Sequence, residues 1–112
     1  MEREVTIARI YLSEADHGKR KNLMEEIVAA LHDQHRVRGV TVFRGIAGFG
    51  GAGSFHSADI LRLTVDLPLV VEFFDEPPIV DAVLAQLRDL IGGHPVVSWT
   101  ARLSHDGKSP DA

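Results

Sequence analysis

The chain has 112 residues, 45% of them apolar and 25% charged, which suits one globular domain with a core of its own. It contains no cysteine, so a disulfide scaffold, a thiolate metal site and a cysteine nucleophile are excluded. The net charge of −4 argues against a nucleic-acid binder held by phosphate contacts, and no apolar run reaches the ~20 residues of a membrane helix. The N-terminal MEREVTIARI is charged and reads as the start of a strand rather than a signal peptide, so a soluble, cytoplasmic protein is expected. The charge is uneven. Residues 1–60 carry eight Lys and Arg against eight Asp and Glu, and residues 61–112 carry four against eight. The basic residues gather at Lys19–Lys21 and along Arg36, Arg38 and Arg44, which is either an ordinary solvated surface or a local site for a small anion.

In chain order, Glu4 to Leu12 alternates, with Val5, Ile7, Arg9 and Tyr11 on one face and Ala8, Ile10 and Leu12 on the other; this predicts a strand. Ser13 to Gly18 is a polar connection. Lys19 to His35 carries Leu23, Met24, Ile27, Val28 and Leu31 at helical spacing and predicts an amphipathic helix, with Gly39 as its stop. Val40 to Ile46 predicts a second strand. Gly45, Gly48, Gly50, Gly51 and Gly53 then fall within nine residues, too dense for a regular element, and predict a loop running to about Ala58.

Ile60 to Val65 alternates again, Asp66-Leu67-Pro68 interrupts, and Leu69 to Phe74 is a run of strand formers. Glu76-Pro77-Pro78 opens a helix whose buried stripe is read as Ile79, Val80, Val83, Leu84, Leu87, Leu90 and Ile91, with Gly92-Gly93 ending it. Val96 to Leu103 is the last strand, and Ser104 to Ala112 reads as a frayed tail. The order strand, helix, strand, strand, helix, strand predicts an α+β, ferredoxin-like βαββαβ sandwich over residues 1–103: one antiparallel sheet with two helices on one face. The other face carries Tyr11, Val42 or Phe43, and part of Leu69–Phe74. It is too apolar to be left in water, which predicts a symmetric homo-oligomer.

Gly48-Phe49-Gly50-Gly51-Ala52-Gly53 has the Gly-x-Gly-x-x-Gly spacing of a dinucleotide-binding turn. That motif needs a helix opening on the glycines, whereas SFHSADILRLTV has no helical stripe. Without a Rossmann fold, such glycines still suit a backbone nest for an anion or a segment that orders on binding. They also suit a plain hairpin connection.

RGIAGFGGAGSFHSADILRLTVDLPLVVEFFDEPPIVDAVLAQL resembles the PII-like family of small proteins of uncharacterised function, distant relatives of the nitrogen-regulatory PII signal proteins. The resemblance covers about residues 4 to 103 and is most specific at Arg44 to Gly50, His56-Ser57 and Asp66-Leu67-Pro68. It implies a homotrimer with strands inside, helices outside and nucleotide sites in the clefts between subunits. It also makes residues 47–58 the counterpart of the mobile T-loop with which PII proteins grip their targets. Arg44, Gly48, Phe49, Gly50, His56 and Arg102 are then the expected ligand-binding residues: Gly48, Phe49 and Gly50 bring backbone to the nucleotide, and Arg102 matches a basic position aimed at phosphates. The chain departs from PII proteins in three places. Gly92-Gly93-His94-Pro95 lacks the phosphate-gripping lysine of their last loop, the modified loop tyrosine is missing, and Gly51-Ala52 stands where PII has its loop glutamine. The expected effector is therefore AMP or ADP, or another small anion, rather than magnesium-ATP with 2-oxoglutarate. A regulated partner is expected, with a membrane transporter or channel as one class.

Two other constellations compete. His32 and His35, with His56 as a third ligand, could hold zinc or nickel, although histidines at a helix end also complement its dipole. Ser54, His56, Ser57 and Asp59 lack the sharp elbow and oxyanion framework of a hydrolase, so no enzyme and no cofactor are expected. A third reading is an oligomeric adaptor that docks on a membrane transporter without any small ligand.

Overall fold

The computed structural model describes residues 2–16, 18, 21–48 and 67–107. Strand β1 (Arg3–Ser13) leads to α1 (Leu23–Ala30), which a π-helical turn (Leu31–His35) extends; β2 (Gly39–Arg44), β3 (Pro68–Asp75), α2 (Pro77–Gln86), the single turn α3 (Arg88–Ile91) and β4 (Val96–Leu103) follow. The four strands form one sheet in the order β2-β3-β1-β4, and every neighbouring pair is antiparallel. This is the expected α+β, ferredoxin-like arrangement. The alternating segment Ile60–Val65, most of the loop 47–58 and the tail beyond Gly107 lie outside the described residues.

The sheet has two unlike faces. Ala8, Ile10 and Leu12 of β1 and Leu69, Val71 and Phe73 of β3 form one core with Leu23, Ile27 and Leu31 from the first helical segment and Val80, Val83, Leu87 and Ile91 from the second. Phe73, Ile10, Ile27, Leu31, Val71 and Val80 are fully buried. Each such side chain contributes about 1.5–3 kcal/mol by leaving water. The stripe Val80, Val83, Leu87, Ile91 excludes Ile79, which is 38% exposed, so its assignment to the core from sequence is corrected. Leu84 and Leu90 pack only partly against the core.

The first helix begins later than its apolar spacing suggests. Asn22 caps it: its Oδ1 accepts the Glu25 N–H at 2.8 Å and its Nδ2 donates to Glu25 Oε1 at 2.9 Å, a reciprocal pairing at an N-terminus. It also stops earlier than Gly39. Arg36 adopts the left-handed conformation (φ 50) and its N–H returns to the Leu31 carbonyl, while Gly39 opens β2. Gly92 (φ 61) ends the second helical segment as expected. The one buried charged side chain among the described residues, Asp75, ties β3 to its surroundings. Its carboxylate accepts the N–H of Glu76 at 2.7 Å and of Arg38 at 3.1 Å, with the Arg38 guanidinium 3.6 Å away. Among the described residues no helix is long and apolar enough to cross a membrane.

Candidate functional site

β2 reaches the glycine-rich segment at Arg44, and β3 leaves it at Pro68, with Arg44 paired in register to Leu69. Gly45 closes the pairing by donating to the Pro68 carbonyl at 2.8 Å. A Cβ on Gly45 would stand 2.5 Å from Pro68 Cγ, and one on Gly48 would stand 3.1 Å from it. The proline ring therefore gives Gly45 a packing reason and crowds a side chain at Gly48 less tightly. Arg44 is bound to Glu14, which follows the end of β1: Arg44 Nη2 and Glu14 Oε2 are 2.8 Å apart. The Glu14 backbone N–H donates to the Leu67 carbonyl at 3.0 Å, and the Leu67 N–H reaches Glu14 Oε1 at 3.4 Å. One residue thus touches both strand ends that bracket the glycine-rich segment.

The Gly92-Gly93-His94-Pro95 turn lies at this same end of the sheet. Tyr11 N–H donates to the Pro95 carbonyl at 3.0 Å, and His94 Nδ1 is 3.7 Å from Asp16 Oδ2, which itself accepts the Ser13 N–H at 2.7 Å. Arg44, Gly48 and the 92–95 turn therefore lie at the same end of the sheet, on opposite edges, with Glu14 paired to Arg44 and Asp16 near His94 between them.

Arg102 is elsewhere. It pairs with Glu4, whereas Arg44 pairs with Leu69, whose partner on β1 is Leu12. Eight residues of strand separate Glu4 from Leu12, about 26 Å at ~3.3 Å per residue, and β2 and β4 are opposite edges of the sheet. One copy cannot bring both arginines to one small molecule. Arg102 lines an open cleft of about 550 Å³ with Glu2, Arg3, Glu4 and Thr100, and its Nη1 lies 3.8 Å from Glu2 Oε2. A second groove of about 730 Å³ over the helices carries Glu26, Asp33 and Asp89 against Lys21, a poor lining for an anion.

The open face of the sheet has a centre that the sequence did not disclose. Arg9 Nε donates to Glu72 Oε1 at 2.7 Å, with its guanidinium carbon 5.5 Å from the Phe43 ring centroid and 5.4 Å from that of Trp99. The Glu72 carboxylate, by hydrogen bonding, and then Tyr11 hold Arg9 above its ordinary value. Around this pair, Phe43, Val97, Trp99 and Tyr11 are 44, 48, 40 and 37% exposed. Of Val42 and Phe43, the open-face residue is Phe43: it pairs with Val70, while Val42 pairs with the buried Val71. Val5 is the exception on the β1 stripe and is buried.

His32 and His35 fall in the π turn, and His32 Nδ1 sits 2.7 Å from Asp33 Oδ1. Among the described residues no three His, Asp or Glu side chains form a group that could hold a metal. Phe49, Gly50 and His56 lie outside the described residues.

Comparison with known proteins gives a consistent picture. Residues 5–103 match the DUF190 family, described as "Uncharacterized ACR, COG1993". A UPF0166 protein of Methanocaldococcus jannaschii is 32% identical over 94 residues, covering 84% of this chain and 85% of that protein; one of Aquifex aeolicus is 39% identical over 70 residues, covering 62% and 66%. Among solved structures, CPII from Thiomonas intermedia K12, bound to ADP and bicarbonate, superposes with a TM-score of 0.56 at 18% identity, covering 92% of this chain and 89% of that one. A PII-like signalling protein from Thermus thermophilus superposes with a TM-score of 0.55 at 12% identity, covering 91% and 89%. The strand order, the helix-covered core and these matches together place the chain in the uncharacterised DUF190/UPF0166 family, with a PII-like, ferredoxin-like fold.

Proposed function

We propose that this chain is a non-enzymatic, PII-like effector-binding protein. It acts as a homotrimer, takes an adenine nucleotide of AMP or ADP size in the seam between copies, and signals occupancy to a partner protein through the glycine-rich connection 47–58. The observation that carries this reading is the separation of Arg44 from Arg102 at opposite corners of the sheet. If both serve one ligand, two copies must build the site. The open face supports the required association, because its aromatic cluster around Arg9 and Glu72 suits burial against like copies. CPII, which shares the fold, is bound to ADP and bicarbonate in one structure and to ADP, AMP and acetate in another. The 92–95 turn offers His94 but no lysine, which favours an effector without a third phosphate. The proposed compartment is the cytoplasm, where adenine nucleotides are abundant, and the proposed partner is a regulated protein such as a transporter or channel.

Calorimetry with AMP, ADP, ATP and 2-oxoglutarate, beside light-scattering measurement of mass, tests the reading. The expected result is a trimeric mass, heat with AMP or ADP, and unchanged nucleotide recovered afterwards. A monomer, or no heat with any nucleotide, would overturn it.

A further inference from the structure

Glu14 is the group that Arg44 holds within its own chain. Its Oε2 lies 2.8 Å from Arg44 Nη2, and its Oε1 is within 3.4 Å of the Leu67 N–H. The Arg44 side chain is 65% exposed and that of Glu14 31%, so solvent and solutes reach the pair. A carboxylate on a guanidinium occupies the same donors that a phosphoryl group would take. We infer that Glu14 is an internal competitor for Arg44, a resident carboxylate that an incoming phosphate must displace.

This inference rests on the proposed effector site and adds its regulation. Binding at Arg44 costs the Arg44–Glu14 pair, so Glu14 weakens effector affinity in the unmodified protein. The displaced carboxylate also gives up its contact with the Leu67 N–H, so occupancy on the β2 side is felt at the start of β3. The backbone bond from Glu14 N–H to the Leu67 carbonyl, 3.0 Å, does not involve the side chain and keeps the strand ends together. The state of Arg44 is therefore linked to Leu67 without unpairing the sheet.

The test is calorimetry with AMP and ADP on four proteins: wild type, Glu14→Gln, Arg44→Gln and the double variant. Glutamine keeps the shape of Glu14 and an oxygen for the Leu67 N–H. An exposed pair is worth up to about 1 kcal/mol, so E14Q is expected to bind nucleotide about two- to five-fold more tightly than wild type. In the Arg44→Gln background the same change is expected to give no gain, because the competition has lost its object. Glu14→Ala serves as a second variant, with a gain of the same sign. Wild-type binding unchanged in E14Q, or a gain that persists without Arg44, would overturn the inference and leave the proposed function standing. Absence of binding in all four proteins would overturn both.

Discussion

Val71 and Phe73 of β3 have no accessible surface, while Val70, Glu72 and Phe74 between and beside them are only half-buried. The same strand serves two faces that have been finished differently. The helix side is closed by α1, α2 and α3 and is aliphatic apart from Phe73. The other side places an ion pair among aromatic rings and leaves Trp99, Phe43 and Val97 in contact with water. A side that served only the single chain would gain little from this composition. A charged pair desolvates at a cost and repays it mainly when its geometry specifies how surfaces meet. The helix side therefore makes the fold, and the open side is suited to making the assembly.

The largest way to break this division is on the helix side. Phe73→Ala is expected to lose about 3–5 kcal/mol of stability in urea denaturation, since it empties a fully buried site. Asp75→Ala comes next, at about 1–3 kcal/mol, because the N–H groups of Glu76 and Arg38 lose their acceptor. On the open side the sign of the comparison reverses. Trp99→Ala is expected to change the urea midpoint of the isolated chain little and to weaken association by about 2 kcal/mol, seen as dissociation on dilution in light scattering. An equal loss of chain stability and association would erase the distinction between the faces. The smallest effect is at Gly45. Gly45→Ala is expected to cost about 1–2 kcal/mol through contact with Pro68, and Gly45→Ala/Pro68→Ala to recover part of it in a thermal melt.

Much of the fold was legible because it rests on local periodicity. The alternation in Glu4–Leu12, the apolar run Leu69–Phe74 and the Pro77-Pro78 helix start all correspond to observed elements. Both ends of the first helix were misplaced although one carried a signal: Asn22 followed by Glu25 is a capping pattern, and it moves the helix start beyond Lys19–Lys21; β2 also ends at Arg44, two residues short of the expected Ile46. The stop at Arg36 was not readable, because a non-glycine residue with positive φ is set by its surroundings. Ile79 was misjudged by being apolar; the buried stripe spaces Val80, Val83, Leu87 and Ile91 three and four apart and passes it by.

The candidate site was less legible, since it depends on register. Arg9 and Glu72 are 63 residues apart in sequence, and only the pairing of β1 with β3 makes them partners. Gly45 and Pro68 meet for the same reason through β2 and β3. Arg44 and Arg102 were selected together by family resemblance, and only the strand order shows that they occupy opposite corners.

That separation yields the most direct measurement. Arg44→Gln and Arg102→Gln chains, each purified alone, are expected to bind ADP weakly. When they are mixed at equal amounts, dissociated and reassembled, roughly a quarter of the seams should carry both intact arginines, one from each kind of chain. Calorimetry should then recover ADP sites with wild-type affinity at that fraction. A mixture that binds no better than its components would contradict a site shared between copies.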